Sequence, residues 1–150
     1  MTNERPDKPT VYVLSGPNLN LLGTREPEIY GHDTLNEIHA RLEAQAETLG
    51  LRLECRQTNH EGVLIDWLHE ANVEGAKAVL LNAGGYTHTS IAIHDAIKSI
   101  RVPVIEVHLS DPMKREEFRH ISYVGMAAAA HFAGHGANSY TLALDAAARL

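Results

Sequence analysis

Short, unbroken apolar runs alternate along this chain with longer stretches that repeat apolar residues every three or four positions. This alternation dictates a series of strand–helix units, because strands read with period two and helices with period 3.6. Residues 11–14 form a β-branched run expected as the first strand. Leu35, Ile38, Leu42, Ala46 and Leu49 mark an amphipathic helix, with Thr34 and Glu37 as a capping box and Gly50 at its end. Residues 51–56 alternate apolar and polar side chains and read as the second strand. Leu64, Ile65, Leu68 and Ala71 give a second helix closing near Gly75. Residues 78–81 are apolar throughout, as expected for a strand covered on both faces. Ser90 caps a helix through Ile91, His94, Ile97 and Ile100, and residues 104–107 form the fourth strand after Pro103. Residues 126–133 are alanine-rich, which favours helix. A fifth strand–helix unit needs a strand there, so a strand is expected, followed by a helix over residues 141–150. The order predicts an α/β domain with a doubly wound, five-stranded parallel sheet and helices on both faces.

The totals fit that architecture. A chain of 150 residues makes one domain spanning 1–150 and buries a core without disulfide or metal support. Its single cysteine, Cys55, forms no internal disulfide and is expected to be buried. The net charge of −6 argues against nucleic acid as the main partner. No stretch approaches the ~18 apolar residues of a membrane span. Residues 1–9 are polar, lack the apolar core of a secretion signal, and are expected as a loose tail. Cytoplasmic residence is the corresponding expectation.

In a doubly wound sheet, ligands bind beyond the carboxyl ends of the strands. Polar residues concentrate at those ends: Ser15, Asn18 and Asn20 after the first strand, residues 82–90 after the third, and His108 and Ser110 after the fourth. The second group ends at a helix N-terminus, which favours an anion. Taken singly these are ordinary turn and cap residues. Their convergence points to a small molecule rich in hydroxyls and bearing a carboxylate.

The segment Gly23-Thr24-Arg25-Glu26-Pro27-Glu28-Ile29-Tyr30-Gly31 has a glycine at each end, as a lid would. A cation beside a phenol favours phenolate, so an arginine–tyrosine pair can serve as a base. From the loop alone, a solvated charged loop with a packed tyrosine is the preferred reading. The chain has ten histidines, but no His-Glu-x-x-His, Cys–His or carboxylate-rich cluster has metal-ligand spacing. Surface or hydrogen-bonded histidines are therefore expected, and no metal. Neither a Gly-x-Gly-x-x-Gly nor a Gly-x-x-x-x-Gly-Lys motif occurs, so no nucleotide cofactor is expected. Trp67 is expected in the core.

The segment SGPNLNLLG at 15–23, with Arg25-Glu26-Pro27 and Tyr30-Gly31, resembles the opening signature of type II 3-dehydroquinate dehydratases. LNAGGYTHTS at 81–90, IEVHLS at 105–110 and REEFRHISY at 115–123 agree, and the similarity runs from about residue 10 to the end. The resemblance implies a flavodoxin-like fold and cofactor-free dehydration of 3-dehydroquinate to 3-dehydroshikimate in the shikimate pathway. It also implies a homo-oligomer, a dodecamer built from trimers. Tyr30 matches the catalytic base and Arg25 the lid arginine that keeps it reactive. Asn18 matches the residue that stabilises the enolate with an ordered water. His108 matches the general acid and Glu106 the carboxylate beside it. Asn82, His88 and Arg119 match positions holding substrate hydroxyls, and Leu109 and Ser110 the carboxylate site. Asp95 matches an aspartate that reaches a neighbouring subunit's site.

Three departures from the family pattern stand out. Ser15 replaces a common asparagine. Asp111-Pro112-Met113-Lys114 replaces a more usual Asn-x-His-Ala-like stretch, which adds a negative charge near the carboxylate site. His135 and Asn138-Ser139 differ near the C-terminal glycines. The rival reading is a flavodoxin-like binding module without catalysis. A phosphoacceptor would need an acidic cluster after the first strand, and a flavin module a Ser/Thr-rich phosphate loop there. The chain carries Ser-Gly-Pro-Asn instead. Retention of Asn18, Arg25, Tyr30 and His108 disfavours a homologue that has lost activity.

Overall fold

A computed structural model describes residues 8–24 and 26–150. Most of the expected N-terminal tail, and Arg25, lie outside the described residues. Pro9 already accepts a backbone hydrogen bond from Arg52.

Five parallel strands form one sheet: β1 (Thr10–Ser15), β2 (Arg52–Gln57), β3 (Ala78–Asn82), β4 (Val104–Val107) and β5 (Ala130–Phe132). Their spatial order is β2-β1-β3-β4-β5. Four longer helices connect and cover them: α2 (Leu35–Leu49), α3 (Glu61–Val73), α4 (Ile91–Ser99) and α5 (Asn138–Ala148). A single helical turn, α1 (Pro27–Tyr30), precedes them.

The period of two in the strands divides the core into two layers. Val11, Val13, Ala78, Leu80, Ile105 and Val107 pack with Ile38, Leu42, Tyr140 and Leu144 from α2 and α5. Tyr12, Leu14, Val79, Leu81 and Val104 pack with Leu64, Leu68, Ile93 and Ile97 from α3 and α4. The sheet is thus covered on both faces, as the strand–helix alternation requires.

The helix signals hold at α2 and α4. Thr34 and Glu37 form the complete capping box, and Gly50 closes α2 at φ 71°. Ser90 accepts from the Ile93 amide at 2.9 Å.

Four expectations need correction. The fifth strand covers only Ala130–Phe132; residues 126–128 instead form a turn, with amides bonded to Ser122 and Val124 carbonyls. That run holds no β-branched side chain, and alanine accepts a helical turn readily. The final helix starts at Asn138, three residues before Thr141. Trp67 is only half-buried, its ring under the Arg56 guanidinium at 5.5 Å. Arg56 also pairs with Glu70 at 2.7 Å, and Glu70 accepts from Tyr12. Cys55 is partly buried rather than sealed, and burial pushes its thiol up to about 12.

Candidate active site

With this strand order, β1→β2 and β2→β3 connect on opposite faces, so β1 and β3 flank the point where the winding reverses. A cavity of about 160 Å³ opens there, room for one ring-sized molecule. Its lining contains Asn18, Tyr30, Asn82, His88, His108, Leu109, Ser110 and Arg119. These residues come from widely separated parts of the sequence, so only the fold brings them together.

Close backbone approach builds the β1 side. A Cβ on Gly16 would lie 2.7 Å from the Ala83 carbonyl oxygen, so only glycine lets the two loops touch. The next turn places Asn18 in the left-handed region, φ 71°, with its amide on the Asn59 side chain at 3.0 Å. Asparagine tolerates that conformation better than most residues.

Past β4 the alternation puts Glu106 and His108 on one face. Nε2 of His108 lies 2.6 Å from Glu106, which also accepts from the Ser122 hydroxyl at 2.6 Å. Burial acts to raise the Glu106 pKa, but the His108 and Ser122 hydrogen bonds and the His108 charge outweigh it and hold the carboxyl below its ordinary range. Glu106 is therefore behind His108 rather than in the cavity wall. This contact fixes the His108 ring and commits Nε2, leaving Nδ1 available to the cavity.

His88 stacks on His108, with ring centroids 6.3 Å apart and planes 19° from parallel. Its Nδ1 donates to the Ile121 carbonyl at 2.8 Å. Burial lowers its pKa, assisted by His108 and Arg119. A neutral His88 with Nδ1 committed keeps Nε2 as an acceptor.

Two arginines supply positive charge. Arg115 donates to Ser110 Oγ at 3.1 Å and lies 5.3 Å from the centre of the Tyr30 ring. Arg119 is held by Glu116 at 2.7 Å. The amides of Leu109 and Ser110 have no intramolecular acceptor among the described residues, while their carbonyls receive Gly136 and Gly134. Free amides beside two guanidinium groups favour a carboxylate.

The cavity wall also contains Arg115 and Pro112, which the sequence reading did not select. Arg115 opens the same REEFR segment that ends at Arg119, so the spacing was visible but its inward direction was not. The N-terminus of α4 is not part of the wall, contrary to expectation: Ser90 donates to the Glu61 carboxylate there. Asp111 turns its carboxylate to the Met113 amide at 3.0 Å, and Pro112 lines the cavity in its place. Asp95 is outside the cavity of its own chain, its side chain 70% exposed and bonded to His94. Among the described residues, no group of three or more His, Cys, Asp or Glu side chains is placed to hold a metal ion. His88, His94, His108 and His120 are hydrogen-bonded instead.

The family model described as dehydroquinase class II matches residues 9–148. A 3-dehydroquinate dehydratase of Caulobacter vibrioides is 59% identical over 137 residues, covering 91% of this chain and 93% of that protein. One from Hyphomonas neptunium is 60% identical over 140 residues, covering 93% of each. The crystal structure of type II dehydroquinase from Butyrivibrio crossotus superposes with a TM-score of 0.92 at 38% identity, covering 94% of this chain and 98% of that one. That from Propionibacterium acnes gives 0.90 at 42% identity, covering 94% and 97%. With sheet order, cavity and sequence all in agreement, this chain belongs to the class II dehydroquinases.

Proposed function

We infer that this chain is a hydro-lyase that dehydrates 3-dehydroquinate to 3-dehydroshikimate in the shikimate pathway. The observation that carries the residue assignments is the single cavity that unites Tyr30, Asn18 and His108 with the Leu109–Ser110 amides and Arg119.

The reaction removes a proton α to a ketone and then expels hydroxide, so it needs a base, an enolate stabiliser and an acid. Tyr30 takes the proton as phenolate, and the Arg115 guanidinium beside its ring stabilises that anion. Arg25 joins it by the family resemblance. Asn18 stabilises the enolate oxygen through an ordered water. His108 passes a proton from Nδ1 to the departing hydroxyl, which leaves as water, while Glu106 steadies the ring through Nε2. Asn82, His88 and Arg119 hold substrate hydroxyls, and Leu109 and Ser110 the carboxylate. A flavodoxin-like binding module gains no support from this site, since a binder has no need of a phenol, a carboxylate-backed imidazole and two arginines around one small cavity.

Assembly is proposed on the same resemblance: trimers that build a dodecamer, with Asp95 approaching a neighbour's hydroxyl-binding region near Arg119. Met113, Phe118, Ile121 and Met126 are each more than half exposed, and Met113 and Met126 line a second cavity sharing His108 and Arg119 with the first. Such apolar exposure beside a site fits contact with another subunit. No described helix is long and apolar enough to cross a membrane; cytoplasmic residence follows from the proposed biosynthetic role.

Tyr30→Phe tests the base directly. The expected result is a fall in kcat of at least about 10²-fold with a smaller change in substrate affinity. A near-normal kcat would remove Tyr30 from that role.

A further inference from the structure

Ser15 and Asn82 are the last residues of β1 and β3 and are direct register partners. They share parity with Val13 and Leu80, so both side chains fall on the face covered by α5. Tyr140, in the first turn of α5, meets them there at 0% exposure. Its Oη accepts from Asn82 Nδ2 at 3.2 Å and shares a hydrogen bond with Ser15 Oγ at 2.9 Å.

The other end of the Asn82 amide is also fixed, because Gly84 N–H donates to Oδ1 at 3.2 Å. A flipped amide would set two N–H donors against each other at Gly84. Nδ2 therefore keeps one hydrogen, and Oδ1 one lone pair, for a molecule in the cavity.

We propose that Tyr140 is a positioning residue for the reaction: its buried phenol oxygen, steadied by Ser15, orients the Asn82 amide toward the substrate. The substrate's identity rests on the proposed function; the contact itself does not. Tyr140 does not line the cavity, so it acts through Asn82. Filling the core would need only a phenylalanine, and a buried hydroxyl is costly unless bonded. Here the hydroxyl is spent on one residue of the cavity wall and on the strand beside it. The segment leading into α5 braces the neighbouring wall as well, through Gly134 to the Ser110 carbonyl and Gly136 to the Leu109 carbonyl.

The test is a double-mutant cycle on the intact enzyme with 3-dehydroquinate. Tyr140→Phe is expected to lower kcat/KM by about 5- to 20-fold, mainly through KM, the size of one lost hydrogen bond to a positioned polar group. In an Asn82→Ala background the same change should shift kcat/KM by less than about twofold, because its target is gone. Equal losses in both backgrounds would make Tyr140 a packing residue and overturn the proposal, as would no loss in the single variant. Ser15→Ala should give a smaller loss that also disappears with Asn82→Ala, and it decides the matter if Tyr140→Phe does not fold. Side-chain amide exchange of Asn82, followed by NMR, supplies a readout independent of turnover. It should be slow in the wild type and faster in Tyr140→Phe, or in Ser15→Ala if only that variant folds. Unchanged exchange would overturn the proposal. A wild type inactive on 3-dehydroquinate would instead refute the proposed function, leaving the exchange experiment to decide this contact.

Discussion

Burial pushes the Tyr140 phenol up to about 12, against the hydrogen bonds with Ser15 and Asn82 that act to lower it. It is sealed from the cavity, whereas Tyr30 lines it beside Arg115. The two tyrosines thus differ in access and in neighbouring charge, which fits the separate duties proposed for them. Glu106 carries a pH prediction at this scale. Its carboxyl is held below the ordinary value of 4.5, so in the fold it binds its proton less readily than in the unfolded chain. The stability it contributes is complete above about pH 4.5 and is lost as pH falls through the folded value. Denaturant unfolding should therefore show the wild type losing its advantage over Glu106→Gln as pH drops below that point. A difference that stays flat from neutral pH into the acid range would contradict the pairing with His108 and Ser122. The resemblance to a known family made Tyr30, His108 and Asn18 legible from sequence. Arg115 was not selected, because the spacing of REEFR does not reveal that both of its arginines reach the cavity. The duty of Tyr140 was hidden because it depends on two strand ends meeting one helix.

The segment before α2 ties local structure to the cavity. Gly23 adopts φ 94°, and a Cβ there would come within 2.9 Å of Thr34 Cγ2, the side chain that caps α2. The cap therefore supports both the helix and the start of the Gly23–Gly31 loop that delivers Tyr30. Thr34→Ala removes one side of the capping box and should cost about 1 kcal/mol. Thermal or denaturant unfolding measures this; unchanged stability would show that the cap contributes nothing. Strands β1 to β4 were readable from sequence because β1, β3 and β4 are rich in valine, leucine or isoleucine and β2 alternates apolar with polar residues. β5 was blurred because an alanine-rich stretch does not distinguish strand from helical turn, and only pairing with Ile105, Glu106 and Val107 decides it. The start of α5 was missed for a related reason: Asn138 and Ser139 read as loop residues, yet Ser139 is fully buried and accepts from the His135 amide.

At the scale of the whole molecule, the proposed assembly rests on the family resemblance, and the exposed apolar side chains around the second cavity and the exposed Asp95 fit it. Light scattering is expected to show an oligomer built on trimers, and dilution or interface substitution that releases monomers should lower activity while each subunit stays folded. A fully active monomer would contradict the shared-site proposal. The proposed metal-free elimination through an enolate yields a conjugated enone from 3-dehydroquinate, whose ultraviolet absorbance can be followed during turnover. The signal is expected to appear with the wild type, to persist in EDTA and sodium borohydride, and nearly to vanish in Tyr30→Phe. Absence of the enone, loss of activity with chelator, or substrate-dependent inactivation by borohydride would contradict that elimination.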